Sequence, residues 1–562
     1  MSTVAANALT AELGALAPAA DETMERLTSE HIVDRIWQGD YTVWKPAPTE
    51  ITNRLGWLTV AERMRPELPE INRVVAAARA DGYTHALLLG MGGSSLAPET
   101  FRRTFGVAPG YLDLAVLDST DPDAVLSHRR ALDPRKTLFI VSTKSGGTVE
   151  TFSYFRYFYR WTVDTIGAEA AGAHFIAITD PGSALADVAA RYKFRATFLN
   201  DPNIGGRYSA MSHFGLVPAA LIGADVPRLI DRAVATAHDH DSSSRLGAIL
   251  GAGAVSGRDK VTFVMSPGVA AFGPWVEQLI AESTGKEGKG ILPVADEPLG
   301  APGVYGSDRL FVQLALPGDR SADAQLSALR GAGHPVVRIE LTDPYDLGGE
   351  IFRWEMATAI AGWRMAINPF DQPNVESAKI LTRQMTKAYE TTGNLPRLAP
   401  TAKGDGLTVY TAGDTGGTGD VSALARAFLQ TVRPGDYIAI QAYVAPSEAT
   451  TQALQQLRVK LRDRLKVATT VGYGPRFLHS TGQLHKGDGG HGAFLQIVTA
   501  PAAEVPIPDT ADSDKSGMSF GVLKQAQALG DRQALLDVGR RVIRLDPESV
   551  PDGIAVIIAL LS

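Results

Sequence analysis

Residues 85–95 read HALLLGMGGSS, an apolar run that ends in glycines and hydroxyls. Positions 86 to 89 are all apolar, so neither face of the segment suits water, and a strand buried on both sides has this character. AVLDS, TLFIVST and HFIAITD follow at intervals in the same style. Helical patterns lie between them: APETFRRTF after the first strand, and TVETFSYFRYFYRWTVDTI after the third, with Val149, Phe152, Phe155 and Tyr159 on one face. Apolar strands alternating with helices predict an α/β fold on an open parallel sheet.

The style recurs along the chain. VTFVMSP, LFVQLAL and HPVVRIEL read as strands of a second unit, with PWVEQLIAES and GGEIFRWEMATAIAGWRMAI as its helices. LTVYTAG, DYIAIQAYV, KVATTVG and AFLQIVTA read as strands of a third, with TQALQQLRVKLRDRL as an amphipathic helix. GNLPRLAPTAKGDG, rich in Pro and Gly, reads as a linker. The expected division is a mostly helical N-terminal segment over 1–65, units over 66–240 and 241–398, and a C-terminal α/β unit over 399–562. A length of 562 residues accommodates this at about 100–200 residues per domain.

Composition excludes several classes. Hydrophobic residues at 45% and charged residues at 20% describe a globular chain rather than a disordered one. A net charge of −7 gives no support to nucleic acid or a membrane surface as partners, and neither is expected. With no cysteine there is no disulfide, thiolate metal site or Cys nucleophile. The eleven histidines suggest no metal site. The N-terminus lacks a basic n-region and carries Glu12 where an apolar stretch is needed, so no signal peptide is expected and the location reads as cytoplasmic. The apolar C-terminal run GIAVIIALLS is too short to span a bilayer.

Two glycine loops carry the chemistry. Gly90 to Ser95 leaves a strand and enters a helix, where exposed N–H groups suit an anion, although a tight turn would use the same glycines. It is neither a dinucleotide fingerprint, since Ser95 holds the third glycine position, nor a P-loop. Thr143-Lys144-Ser145-Gly146-Gly147-Thr148 is more specific: three hydroxyls, one ammonium and two glycines meet at one helix N-terminus, a cradle for a phosphomonoester. The alternative is a hydroxyl cap beside an exposed Lys. Arg207, after Gly205 and Gly206, can project its fork at an anion. Glu282, at the end of PWVEQLIAES, can serve as a general base or merely pair with Lys286. His479, His485 and His491 lie in one Gly-rich stretch, where one could act as an acid or base.

Together LLLGMGGSSLAPE, VSTKSGGTVET, GGRYSAMSHFGL, VEQLIAESTGKEGKG and NPFDQPNVESAK resemble, in this order, the glucose-6-phosphate isomerase family, built from two sugar-isomerase (SIS) domains. DYTVWKP and GYGPRFLHSTGQLHKG are most similar to the isomerase part of transaldolase/isomerase fusions, without a transaldolase portion. The resemblance implies two SIS-type doubly wound parallel-sheet domains plus a C-terminal α/β extension. It implies interconversion of glucose 6-phosphate and fructose 6-phosphate through a cis-enediol, with no cofactor and no metal, and a homodimer as the usual assembly. A dual phosphoglucose/phosphomannose isomerase and a non-catalytic sugar-phosphate sensor are the alternatives.

Position by position, the resemblance implies Glu282 as the base and Arg207 as the cation over the enediolate. Thr143, Lys144, Ser145 and Thr148 hold phosphate. Gly93 and Ser94 lie beside the sugar, Gln278 and Gln372 contact it, and Lys379 serves ring opening. The family's ring-opening His is absent, since VYGSDRLFVQL carries Asp308 and Arg309 there. His485 is the first candidate to replace it, with His479 and His491 as alternatives.

Overall fold

The computed structural model describes residues 8–412 and 419–561. The beginning of the N-terminal segment, the end of the LTVYTAG reading and the last residue of the C-terminal run lie outside the described residues.

Among the described residues three large sheets organise the fold. The first is fully parallel, in the spatial order Asp113–Leu117, His85–Gly90, Thr137–Ser142, Phe175–Thr179, Ala196–Leu199. Its central strands are buried at nearly every position, as their unbroken apolar runs require. The second runs Leu9–Glu12, Val336–Glu340, Arg309–Ala315, Lys260–Met265, Leu292–Val294, parallel except for the first strand. The third runs Ala402–Gly404, Leu407–Tyr410, Arg541–Pro547, Gly492–Val498, Tyr437–Tyr443, Ala468–Tyr473. Its last four strands are parallel and the first two antiparallel.

All three sheets share one wiring. The earliest parallel strand of each (His85–Gly90, Lys260–Met265 and Tyr437–Tyr443) lies between later strands that peel off to either side. Such a switch point opens a crevice outside the strands' carboxyl ends, where α/β proteins bind ligands. The glycine loops leave two adjacent strand ends at the first switch point. The helix Gly273–Thr284, which carries Glu282, follows the central strand of the second. The segment with His479 and His485 leaves the end of Ala468–Tyr473 in the third.

The N-terminal segment is mostly helical with one short strand, and it is not a separate body. Leu9–Glu12 adds antiparallel to the edge of the second sheet, Leu9 opposite Ile339 and Glu12 opposite Val336. Leu16, Trp44, Trp57, Phe101, Tyr208 and Trp354 then belong to one continuous core spanning the segment and both following units. The four-residue strand is too short for its periodicity to stand out. The expected linker also carries structure, with Ala402–Gly404 pairing back on Leu407–Tyr410. The C-terminal unit has its own core around Phe428, Ile440, Leu457 and Leu495. Val505, Ile507, Phe520 and Leu523 of this unit also join the core on the outer face of the first sheet.

Candidate active site

The two glycine loops are built for close approach. A Cβ on Gly93 would lie 2.0 Å from the Gly206 carbonyl oxygen, so only glycine lets this loop pack against the Arg207 turn. Gly146 has φ +65° and faces the backbone nitrogens of Ala184 and Leu185, so it too admits no side chain. The helix Val149–Ile166 starts beyond Thr148 without a side-chain cap, which leaves first-turn N–H groups for an anion.

Arg207 and Glu282 come from different units and meet at 3.4 Å (Nη1 to Oε1). Arg207 is 2% exposed, and four of its five N–H groups are held by hydrogen bonds. Nε donates to Ser283 Oγ at 2.7 Å, Nη1 to Gln372 Oε1 at 2.8 Å, and Nη2 to the Pro369 and Asp371 carbonyls at 2.7 and 3.0 Å. A lysine could not reproduce this planar pattern. The Glu282 Oε2 accepts from Gln278 Nε2 at 3.1 Å, and the same amide nitrogen donates to the His479 carbonyl at 2.8 Å. Lys286, buried, donates to Asp371 Oδ1 at 2.6 Å and anchors the loop carrying Gln372. Burial, then the neighbouring Arg207, pushes the Lys286 ammonium down to about 8.

Beside this cluster lies a cavity of about 440 Å³, lined by Ser145, Gly147, Thr148, Lys379, His479 and Glu150 among others. Ser145 and Thr148 of the cradle face it. Thr143 is buried, with its hydroxyl 3.0 Å from that of Thr148. Ser94 is buried in the first loop, its carbonyl accepting from Ser142 Oγ at 3.2 Å. Lys379 is half-exposed on the cavity wall, 3.8 Å from Glu376.

Two expected site residues are engaged elsewhere in this structure. Lys144 does not point into the cradle, because its ammonium pairs with Asp180 and donates to the Pro202 carbonyl at 3.1 Å. The strand end after Thr179 brings Asp180 to it, 36 residues away. His485 does not reach the site. It is 2% exposed and enclosed by Tyr437, Phe477 and Phe494, with ring centroids 6.3, 6.1 and 5.0 Å away. Burial there, then Lys486, drives its imidazole well below its ordinary range, so it stays neutral within the aromatic packing. His491 is exposed and 3.6 Å from Asp436, in a different cavity.

The histidine at the site is His479. Its Nε2 is 3.0 Å from Glu150 Oε1. Burial raises the Glu150 carboxyl, but the charge and hydrogen bond of His479, with a backbone hydrogen bond and Lys379, together outweigh it, and the net shift is downward. An ionised Glu150 only accepts, so Nε2 is the donor of this bond and Nδ1 is left facing away from the carboxylate. Sequence reading passed over Glu150, although it stands in TVET two residues beyond Thr148. It also passed over Gln483, which donates to the Gly285 carbonyl at 2.8 Å and exchanges two hydrogen bonds with Asn374. That clamp joins the end of the Glu282 helix to the Gln372 loop.

Where the family histidine would stand, Arg309 is buried and structural, bound by Glu297 at 3.1 Å and Thr262 at 2.7 Å. Among the described residues no cluster suited to a metal occurs, and no helix is long and apolar enough to cross a membrane.

Residues 60–287 match the phosphoglucose isomerase family. Glucose-6-phosphate isomerase of Rubrobacter xylanophilus is 29% identical over 375 residues, covering 57% of this chain and 86% of the relative. That of Citrifermentans bemidjiense is 31% identical, covering 54% of this chain and 66% of the relative. A hypothetical protein from Thermus thermophilus superposes with TM-score 0.56 at 25% identity, over 67% of this chain and 99% of that one. A glucose-6-phosphate isomerase from Chlamydia trachomatis has the same fold, with TM-score 0.55 at 19% identity, over 66% and 86%. Fold and site thus define an α/β body of parallel sheets with a switch-point crevice beside the Arg207–Glu282 pair. The chain is similar to glucose-6-phosphate isomerases over more than half its length, and the family match falls on residues 60–287.

Proposed function

We propose that this chain isomerises glucose 6-phosphate and fructose 6-phosphate through a cis-enediol. The observation that carries the proposal is the meeting of Glu282 and Arg207 at 3.4 Å, beside a hydroxyl cradle at a helix N-terminus. An aldose–ketose isomerase needs a phosphate anchor, one carboxylate base and a cation over the developing oxyanion.

In this reading Ser145, Thr148 and the first-turn amides hold the phosphate, with Thr143 behind them and Lys144 joining once it leaves Asp180. His479 opens the ring: Nδ1 exchanges a proton with the sugar while Glu150 steadies the imidazole through Nε2. Lys379, on the same cavity wall, adds positive charge at the ring. Glu282 then moves the proton between C1 and C2. Arg207 stabilises the enediolate oxygens, Gln278 and Gln372 orient base and cation, and Gly93 and Ser94 form the wall behind the sugar. The same reading places the enzyme in the cytoplasm and, by family resemblance, in a homodimer, which sedimentation checks.

The test is isomerisation of fructose 6-phosphate in D2O. Deuterium in the glucose 6-phosphate formed, at C2, reports proton transfer through an enediol. Tight binding without turnover would overturn the proposal in favour of a sugar-phosphate sensor. Mannose 6-phosphate supplied in parallel reports a dual specificity.

A further inference from the structure

The C-terminal unit supplies more than His479. Its helix Phe520–Asp537 buries Gln527 against the first unit, at 2% exposure. Gln527 Nε2 donates to Glu150 Oε1 at 2.6 Å. Its Oε1 accepts from Thr120 Oγ1 at 2.7 Å, and Thr120 is fully buried. Because the carboxylate accepts only, the amide nitrogen must face it, and Thr120 provides the donor the other end requires. Gln527 and His479 therefore converge on one oxygen of Glu150.

We propose that Gln527 is a positioning residue for ring opening, holding Glu150 so that it fixes the tautomer and basicity of His479. This rests on the ring-opening reading of His479. Nothing in the residues' local sequence connects them, since 377 positions separate Glu150 from Gln527. A carboxylate that receives two donors on one oxygen has its charge partly neutralised and its direction fixed. Without Gln527 the oxygen is more basic, so the Glu150–His479 pair holds a proton to higher pH.

Other charges facing the pair are largely balanced. Lys486 is tied to Asp531 at 2.6 Å, Arg383 to Glu376, and Arg476 to Asp118 at 2.7 Å. Tyr154 and Tyr443 stay protonated, since burial raises both phenols well above their ordinary range. Lys379 remains to act on Glu150, to which it adds a downward pull.

The experiment uses the full chain and two substrates: fructose 6-phosphate, and its 5-deoxy analogue, which lacks the hydroxyl that closes the ring. Proton exchange at C1 in D2O is followed for both by NMR. Gln527→Met is expected to lower kcat on fructose 6-phosphate by about 10-fold and move its acid limb up by about half a pH unit or more. The analogue, needing no ring opening, should react at the wild-type rate. Thr120→Val, which keeps the shape and removes the donor to Gln527, should do the same to a smaller degree, and carries the test if Gln527→Met does not fold. An equal loss on both substrates, or an unmoved acid limb, would overturn the inference in favour of a purely structural role. His479→Gln separates the two readings. If it keeps full activity on fructose 6-phosphate, both fall; if it loses activity on that substrate alone while Gln527→Met does not, only the role of Gln527 falls.

Discussion

Replacing Glu282 by glutamine preserves shape while removing the base, and the surroundings set the size of the effect. Two donors face the carboxylate, Gln278 Nε2 at 3.1 Å and Arg207 Nη1 at 3.4 Å. A glutamine offers one acceptor, so its NH2 must oppose one of them. Arg207 cannot accept, and Gln278 cannot reverse without losing its 2.8 Å bond to the His479 carbonyl. One interaction is therefore lost, about 1–3 kcal/mol of stability. That loss falls on free enzyme and transition state alike, so it leaves the rate of the chemical step nearly untouched. Loss of the base is different: general acid–base groups contribute about 10²–10⁴ in rate, or about 2.7–5.5 kcal/mol of barrier. The assay supplies fructose 6-phosphate and follows glucose 6-phosphate through a coupled dehydrogenase. The expected result is kcat lowered by at least about 100-fold, with KM within a few-fold of wild type. A variant that keeps kcat within tenfold of wild type would refute Glu282 as the base.

Three further outcomes follow from other residues. Asp180→Asn should release Lys144 toward the cradle, so inhibition by inorganic phosphate should strengthen by about 3- to 10-fold, and weaker inhibition would contradict this. Gly93→Ala would set a methyl 2.0 Å from the Gly206 carbonyl. It should cost about 1–3 kcal/mol in a denaturant titration and disturb the Arg207 turn enough to show in kcat. Glu277, half-buried on the Glu282 helix, is pushed up to about 8 by burial and then by Asp296. A carboxyl raised in the folded state contributes stability that is full below its unfolded value near 4.5 and is lost as pH rises through about 8. Wild type should therefore lose stability relative to Glu277→Gln between those values, by at most about 1.4 kcal/mol per pH unit, as urea midpoints at pH 5 and pH 8 would reveal.

The sequence by itself determined the strands, the glycine loops and the types of residue available for chemistry. Runs such as HALLLG and TLFIVS specify buried strands because every side chain is apolar, and the glycines of GMGGSS and KSGG specify turns because of their own backbone freedom. These are local properties, legible in a dozen residues. Ser145, Thr148, Arg207 and Glu282 were accessible to such reading as candidates, because each sits in a short motif at the end of a strand or helix, while their roles came only with the family resemblance. The short strand Leu9–Glu12 was not, since its partner Val336–Glu340 lies at the other end of the first two units. Nor was the choice among His479, His485 and His491, which share one stretch and one set of local neighbours. Tertiary structure alone sets them apart: the C-terminal unit encloses His485 among aromatic rings and carries His479 to Glu150, 329 positions away. It likewise turned Lys144 to Asp180 and placed Gln527 behind Glu150. Side-chain charge and hydrogen-bonding partners depend on which segments pack together, and a linear order of residues does not contain that information until the chain has closed its cores.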